Sequence, residues 1–545
     1  MTTPKLTSVF LLEQLIVEGA SLIFHAPRNM GSPLIKLAQE AKQLTTIKAV
    51  SERAAGFMAI GYAQATSRPP VLVVSPGQGL VNAAATIYAA KQNQVPLIVI
   101  AEQQSTQILN DDPPLSLDNL SLAAKLTKWS AEARNAMEAP RLLRRAFTEA
   151  LSPPKGPVLI SVPLDIMTQY GKSEIIHPPH VSPLGPADHN FILKTANSLV
   201  SAQNPCIVAG NEVSQFRARK EVATLVEVLG CPVYSEPLPT GVNFPNRHPQ
   251  FGGVINFGSA VSRKKLMEHD LVLALGMQTR ISTEHDRQPI FNPRASIIQV
   301  NVEPTLVGKS LPFIASATAD ISETLSRMRA EVQLLADAKW LNLVKDRIQN
   351  TVDTIADERL AMEENLVYPK DSDPVSLFWL LRILDGVRPS SSIIVNDLVS
   401  DSADPSSILS LESSSAYIAS AACIAGYAVP AAIGVKLATK NYPVIALTTA
   451  ESFLQTPESL WSQVHHNAAV KIVMVSGGST DSTGTDASVE SRFPYDPISY
   501  PHFARAFNLN GMHVGTMADL ETALEIMFSH NGPYMVDVKL ADELI

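Results

Sequence analysis

Short apolar runs alternate with amphipathic segments along most of the chain. In the first 168 residues, β-type runs are found at residues 21–26, 46–50, 70–74, 96–101 and 157–162. The segments between them have apolar positions at helical spacing and predict helices at residues 8–18, 53–65, 79–92 and 140–151. Regular alternation of this kind predicts a parallel sheet with helices on both faces.

The alternation continues after a proline-rich linker at residues 177–188. Residues 189–330 suit a Rossmann-like middle domain, because they contain strand-like runs at residues 205–209, 232–234, 271–275 and 296–301. The loop at residues 209–213 has a single glycine and no GxGxxG motif. We therefore interpret this domain as structural rather than nucleotide-binding.

A charged, helix-favouring segment separates the middle unit from the last one. Residues 331–372 predict a helical connector whose apolar stripe, including Trp340 and Val344, packs on a neighbouring domain. The last unit opens with a helix and a strand in the same order as the first unit, which indicates two domains of common topology. The predicted fold class is α/β, with three doubly wound parallel-sheet domains at residues 1–176, 189–330 and 373–545.

Composition and charge narrow the classes of function. The 545 residues carry a formal net charge of −9 without a Lys/Arg cluster, which argues against binding of a nucleic-acid backbone. Cys206, Cys231 and Cys423 lack CxxC spacing, so neither a disulfide framework nor a zinc site is predicted. The sequence shows neither a signal peptide nor an uninterrupted apolar span, and we expect a cytoplasmic protein that does not bind membranes.

Candidate chemistry concentrates in residues 444–485, which read VIALTTAESFLQTPESLWSQVHHNAAVKIVMVSGGSTDSTGT. Two strand-like runs bracket an amphipathic helix there, and ligands of parallel sheets bind at the carboxyl ends of strands. Those ends lie at residues 448–452 and 476–480. The following loop, residues 477–488, has the composition of a mobile segment that could close over a site.

A family resemblance becomes specific at residues 51–104, which read SERAAGFMAIGYAQATSRPPVLVVSPGQGLVNAAATIYAAKQNQVPLIVIAEQQ. This stretch resembles the pyrimidine-binding domain of thiamine diphosphate (ThDP) enzymes such as benzoylformate decarboxylase and acetolactate synthase. The similarity extends to NPCIVAGNEV and HDLVLALG in the middle unit and to YIASAACIAGYAVPAAIGVKLA in the last. The resemblance implies pyrimidine-type, middle and diphosphate-type domains, ThDP and Mg²⁺ as cofactors, and a 2-oxo acid or related carbonyl compound as substrate.

The resemblance assigns Glu52 to the family glutamate that hydrogen-bonds the aminopyrimidine ring of the cofactor. The alternative interpretation is a helix-start acid stabilised by the helix dipole. The predicted pocket of this domain comprises His25, Asn29, Glu52, Ser75 and Gln78.

Three family substrate residues, one serine and two histidines, align with Asn29, Ser75 and Thr283. Imidazole proton relays are therefore absent from those positions. His25 and His285 lie nearby in sequence and are either replacement relays or packing and surface residues.

The diphosphate end departs most from the family pattern. The Gly-Asp-Gly motif aligns with Thr449, Ala450 and Glu451, and the metal-binding asparagine aligns with Gly477. A further family ligand is a backbone carbonyl, near Ser479 here. The hydrophobic residue that wedges the cofactor aligns with the small Ala425.

These departures predict that the protein does not bind Mg²⁺–ThDP in the usual way. Mg²⁺ prefers oxygen ligands, usually carboxylates together with phosphates. Glu451 and Asp481 are alternative metal ligands, or else simply solvated acids in a loop.

Three functions stay open at this point. The first is a C–C bond lyase or ligase acting next to a carbonyl, with an altered cofactor site. The second is a cofactor-independent enzyme that uses Glu52 as an acid or base, and the third is a non-catalytic regulatory homologue. Retention of Glu52 favours an enzyme. Because family sites lie between the first domain of one chain and the third of another, we expect a homodimer or homotetramer.

Overall fold

The structure, a computed structural model, describes residues 4–27, 31–179, 181, 184–256, 259–278, 289–309, 311–364, 366–398, 404–477 and 498–541. The chain divides into two compact units. One comprises Met1–His180, Lys370–Ala403 and Ile418–Ile545, and the other comprises Val181–Pro369 and Asp404–Tyr417. Three six-stranded sheets form the domains, which confirms the predicted fold class.

The first domain is built on a sheet of order β3-β2-β4-β5-β7-β6, with a small antiparallel β1–β8 pair beside it. Its strands are β1 (Lys5–Leu6), β2 (Leu22–His25), β3 (Thr45–Lys48), β4 (Val71–Val74), β5 (Leu97–Gln103), β6 (Trp129–Glu132), β7 (Pro157–Pro163) and β8 (Tyr170–Gly171). Its helices are α1 (Thr7–Val17), α2 (Pro33–Glu40), α3 (Glu52–Thr66), α4 (Gln78–Gln92), α5 (Asn119–Ala123), α6 (Glu138–Leu151) and α7 (Leu164–Met167), with a 3₁₀ turn at Leu109–Asp111.

Both faces of this sheet are covered, which explains why its central strands β4 and β5 are apolar nearly throughout and buried at every position. One face packs on apolar residues of α1, α2 and α6, and the opposite face packs on α3 and α4. The carboxyl ends of β2, β4 and β5 are thereby left as the place where polar side chains converge.

The middle domain contains a parallel sheet of order β11-β10-β9-β12-β13-β14. Its strands are β9 (Pro205–Ala209), β10 (Val233–Ser235), β11 (Phe251–Val254), β12 (Leu271–Leu275), β13 (Ser296–Asn301) and β14 (Ala315–Thr318). Its helices are α8 (His189–Ser201), α9 (Asn211–Gln215), α10 (Arg219–Leu229), α11 (Ala260–Met267), α12 (Ile321–Leu335) and α13 (Ala338–Glu364), with a 3₁₀ turn at Pro304–Leu306.

The predicted connector helix, α13, packs on this middle domain. The guanidinium of Arg347 is buried and donates to the carbonyl oxygens of Leu229 at 2.8 Å and Ala202 at 2.9 Å. These carbonyls lie at the C-terminal ends of α10 and α8, where helices carry unsatisfied acceptors. A charged helix thus anchors to its neighbour through one buried cation.

In the middle domain, a buried side chain accepts hydrogen bonds from the backbone amides near the strand ends. The buried carboxylate of Glu236 accepts hydrogen bonds from the amides of Asn211 (2.5 Å) and Gln278 (2.8 Å). Asn211 begins α9, where the phosphate of a nucleotide would bind in a Rossmann-like domain. A protein acceptor already occupies this place, which agrees with the structural interpretation of the domain.

The remainder of the chain forms the third sheet, of order β16-β15-β17-β18-β20-β19. Its strands are β15 (Ile393–Asn396), β16 (Tyr417–Ala419), β17 (Val444–Thr449), β18 (Val470–Ser476), β19 (Asn510–Val514) and β20 (Tyr534–Lys539). Its helices are α14 (Leu377–Val387), α16 (Ala428–Ala438), α17 (Ala450–Phe453), α18 (Ser459–His465), α19 (Tyr500–Ala506) and α20 (Met517–Ser529). The short helix α15 (Pro405–Ile408) belongs to the same compact unit as the middle domain.

The first and third sheets have the same strand order when each is numbered from its own first full strand, which confirms the predicted internal repeat. Their domains meet where α3 crosses α16. A Cβ added at Gly61 would lie 2.0 Å from the carbonyl oxygen of Ala431, and one added at Gly434 would lie 1.8 Å from that of Met58. Glycine is therefore required at both positions for the two helix backbones to approach.

None of the helices in the described ranges is long and apolar enough to cross a membrane.

Candidate functional site

Glu52 is the polar centre of the first sheet's carboxyl edge. It begins α3, directly after Ser51, whose side chain caps the helix by accepting from the Ala54 amide at 3.1 Å. Its side chain is only 4% exposed. Ser75 Oγ donates to Glu52 Oε1 at 3.0 Å, and Asn82 Nδ2 donates to Oε2 at 3.1 Å. Both carboxyl oxygens are thus held by neutral donors.

The turn from β4 to α4 lets these donors reach Glu52. Gly77 has a φ of +59°, a left-handed conformation that glycine adopts without strain. A Cβ added at Gly79 would lie 2.6 Å from Ser75 Oγ and 3.2 Å from Glu52 Oε1. The motif SPGQG thus makes room for the carboxyl group. Gln78, which begins α4 within this motif, has an exposed side chain.

His25 ends β2 at the same edge and is buried. Its Nδ1 pairs with the carbonyl oxygen of the adjacent Ala26 at 3.2 Å, and it makes no hydrogen bond to Glu52. Burial lowers the pKa of His25; the backbone bond raises it in part, and the nearby Lys48 and His466 lower it further. The structure therefore brings Glu52 and Ser75 into contact, whereas His25 lies apart from them with a lowered pKa.

Several predicted residues lie outside the described residues, so the structure gives no position for them: Asn29, Thr283, His285, Ser479 and Asp481.

The turn that carries Glu52 is fastened to the C-terminal part of the same chain. Ser51 Oγ donates to Glu458 Oε1 at 2.6 Å, and Arg53 Nη2 donates to the carbonyl oxygen of Ala425 at 2.7 Å. These bonds fix the residues on either side of Glu52. That residues around Ala425 of a partner chain line the pocket of Glu52 stays a prediction.

The diphosphate end has a different chemical character. β17 runs directly into the short helix α17, and Thr449 caps it by accepting from the Ser452 amide at 3.0 Å. Ala450, at the family position of a metal-binding aspartate, is a buried methyl group. Glu451 is exposed. Gly477 adopts a φ of +71° and, as a glycine, has no side-chain oxygen that could bind a metal ion.

Asp397 is a residue of this edge that sequence reasoning missed. It follows β15, and its Oδ2 accepts from Ser452 Oγ (2.5 Å) and from the Ala428 amide that starts α16 (2.9 Å). Burial raises the pKa of Asp397, and the bond from Ser452 lowers it in part. The available signal was an aspartate directly after a predicted strand.

Asn82 was missed in the same way. It lies one helical turn after Gln78 on α4, a spacing that places both on one side of the helix. That spacing alone could not show that the asparagine amide reaches Glu52.

The side chains available at each end decide how well the family cofactor fits. The Glu52 end offers a buried carboxyl group suited to a ring nitrogen, as the resemblance implies. At the metal end, the positions of Ala450 and Gly477 do not fit a Mg²⁺ ion, because neither residue supplies a side-chain oxygen. Across the described ranges there is no group of three or more His, Cys, Asp or Glu side chains placed to hold a metal ion.

Solved structures of similar fold cover essentially the whole chain. The 4-hydroxybenzoylformate decarboxylase of Rhodococcus jostii RHA1 superposes with a TM-score of 0.83 at 23% identity, covering 99% of this chain and 100% of that one. Benzoylformate decarboxylase from Polynucleobacter necessarius superposes with a TM-score of 0.84 at 20% identity, covering 99% of each chain. At these identities the likeness shows the fold.

Sequence relatives point the same way. Acetolactate synthase isozyme 1 large subunit of Escherichia coli (strain K12) is 23% identical over 98% of this chain and 94% of its own. Benzoylformate decarboxylase of Pseudomonas aeruginosa is 24% identical over 95% of this chain and 96% of its own. Both relatives have the names of enzymes.

Family models match each of the three domains. The N-terminal TPP binding domain of thiamine pyrophosphate enzymes matches residues 7–122, the central domain matches residues 192–328, and the C-terminal TPP binding domain matches residues 406–538. Together these matches cover most of the sequence, in the order in which the three sheets occur. The chain belongs to the thiamine pyrophosphate enzyme family.

Proposed function

We propose that this protein is an enzyme that makes or breaks a C–C bond next to the carbonyl group of a 2-oxo acid or a related small molecule. The observation that carries the proposal is the buried carboxyl group of Glu52, held by Ser75 and Asn82 at the start of α3. A carboxyl group buried this way is suited to acid–base chemistry. Family membership supports the reaction class.

We propose further that the cofactor site is altered. A diphosphate carries two to three negative charges, and burying such charge without a counter-ion costs several kcal/mol. Each 1.4 kcal/mol is a tenfold loss of affinity, so the loss of two metal ligands is expected to weaken Mg²⁺–ThDP binding by about a thousandfold or more. Ala450 and Gly477 are the residues that support this proposal.

A cofactor-independent enzyme on the same scaffold is the second candidate. The observation that favours it is the contrast between a fully hydrogen-bonded Glu52 and a metal position without oxygen ligands. Glu52 would then exchange a proton with the substrate directly. A regulatory homologue without activity is the third candidate, and it gives no reason for Glu52 to be buried and bonded as it is.

We propose that the protein works as a homodimer or homotetramer with small-molecule substrates. Helix α4, which contacts Glu52 through Asn82, exposes Val81 (55% exposed) and Tyr88 (41% exposed) two turns apart. An exposed apolar face beside a functional group is typical of an interface. Light scattering that shows a monomer at micromolar concentration would contradict the oligomeric proposal.

The experiment that separates the three candidates is a turnover assay with pyruvate and benzoylformate, each with and without ThDP and Mg²⁺. Turnover only with high ThDP supports the first candidate, and turnover independent of ThDP supports the second. No change of either acid under any condition would contradict the proposed substrate class and leave the regulatory role as the favoured one.

A further inference from the structure

A second carboxyl group, that of Glu102, is buried at the same sheet edge as Glu52. Val74, the last residue of β4, pairs with Ala101 of β5; Ser75 follows β4, and Glu102 is the second-last residue of β5. Adjacent strands lie about 4.8 Å apart, which places the backbone of Glu102 next to that of the serine that donates to Glu52. Glu102 is 3% exposed.

The surroundings of Glu102 are largely apolar. Along β5, Ile98 and Ile100 point to the face covered by α1, α2 and α6, and alternation puts the Glu102 side chain on that face too. Ser32, which caps α2, provides a side-chain hydrogen bond. Burial raises the pKa of Glu102 to about 7, although the Ser32 bond lowers it in part.

One oxygen of this group lacks a protein partner. In the described part of the chain, nothing forms a hydrogen bond with Glu102 Oε1, which is shielded from solvent. A buried polar atom left unsatisfied costs about 1–3 kcal/mol, so native proteins rarely keep one without a ligand or a bound water. At Glu102 Oε1 a polar ligand or a bound water molecule can therefore form a hydrogen bond.

The charge state of the Glu102 carboxyl group determines which ligand it can bind. Among the residues that the structure describes, no Lys or Arg shifts the pKa of Glu102. In its protonated form a carboxyl group donates one hydrogen bond, which suits a carboxylate or carbonyl oxygen, whereas its ionised form would repel an anion. Small 2-oxo acids present both kinds of oxygen.

We propose that the protonated side chain of Glu102 binds an oxygen of the substrate in the site that contains Glu52 and Ser75, and that the substrate is a small anionic carbonyl compound. This rests on the proposed function. Glu102 is then a substrate-binding residue whose protonation state sets affinity: binding is strong below pH about 7 and weakens as the pH rises.

The test is calorimetric titration of the full-length protein with pyruvate and benzoylformate between pH 6 and 8.5. For wild type, affinity is expected to fall about tenfold per pH unit once Glu102 ionises. Glu102→Gln keeps a donor and is expected to bind with little pH dependence, and Glu102→Leu to bind at least tenfold more weakly at pH 6. Ser32→Ala should move the wild-type profile to higher pH, because it removes a bond that lowers the pKa of Glu102.

Glu18→Gln is the matched control, because burial also raises the pKa of Glu18, but this residue caps the C-terminus of α1. It should bind like wild type.

If wild type binds and Glu102→Gln retains the wild-type pH profile, the Glu102 proposal is wrong while the proposed function stands. A water molecule then binds at Glu102 Oε1. If wild type binds neither acid at any pH, both fail. Should the Glu102 variants not fold, the Ser32→Ala profile decides.

Discussion

The first and third sheets share one strand order, yet their carboxyl edges differ in chemistry. At the first edge, Glu52 is buried and both of its oxygens accept hydrogen bonds. At the third edge, the corresponding loops present Thr449, Ala450 and an exposed Glu451. The same strand order therefore carries different side chains at the two edges, so the fold alone does not determine the chemistry.

The largest expected effect comes from replacing the acid of the first edge, Glu52. Glu52→Gln keeps the shape and one hydrogen-bonding oxygen but cannot exchange a proton as a carboxyl group does, so turnover should fall by about a thousandfold or more. Glu451→Gln, the matched change at the exposed acid of the other edge, should leave turnover within about twofold. Steady-state kinetics measures the turnover of both variants. Thermal unfolding at the same temperature shows that both are folded. Equal losses in both would show that the two edges share the chemistry.

Packing between the two domains is the next largest effect. Gly434→Ala would place a Cβ 1.8 Å from the Met58 carbonyl oxygen, so the helices α3 and α16 must separate. Overpacking of this kind costs about 1–3 kcal/mol or more. Gly386→Ala is the control within α14, because nothing lies within 4 Å of its added Cβ. Urea unfolding should show a large loss for the first variant and none for the second.

The pH dependence of the unfolding free energy tests whether the pKa of Glu102 is raised in the folded chain. Its pKa is raised from 4.5 to about 7, so between those values the folded chain holds a proton that the unfolded chain releases. Stability from this group is complete below pH 4.5 and is lost as the pH rises to about 7, by about 3 kcal/mol at most. Glu102→Gln should flatten this part of the unfolding profile. An unchanged slope in the variant would show that other groups produce it.

The smallest effect concerns the donors to Glu52. Ser75→Ala removes one of two hydrogen bonds to the carboxyl group and should cost about 1–2 kcal/mol of stability. In the Glu52→Gln background the same change should cost less, because the neutral amide is a weaker acceptor. A double-mutant cycle of unfolding free energies measures the difference. A coupling energy of zero would show that Ser75 does not hold Glu52.

Much of this architecture could be predicted from the sequence. The helix predicted at residues 53–65 is observed at Glu52–Thr66, and the strand predicted at residues 70–74 is observed at Val71–Val74. Strand ends also indicate that Glu52 and Ser75 lie at one edge of the sheet, whereas their assignment as site residues came from the family resemblance. These features depend on local pattern, which a sequence records directly.

The remaining site contacts join distant parts of the chain. Arg53 and Ala425 are 372 residues apart, and Asp397 and Ser452 are 55 residues apart. No local pattern specifies such pairs, because they depend on how two sheets place their edges. The orphan oxygen of Glu102 was missed for the same reason: its burial follows from α2 and β5 together.

We propose that the third edge does not bind Mg²⁺–ThDP in the family's usual way, and isothermal titration of ThDP into the protein tests this proposal. The wild-type chain should show no micromolar binding, with or without Mg²⁺, whereas the double substitution Ala450→Asp and Gly477→Asn should gain Mg²⁺-dependent affinity, because it restores two oxygen ligands. Micromolar, Mg²⁺-dependent binding of ThDP by the wild-type protein would contradict this proposal.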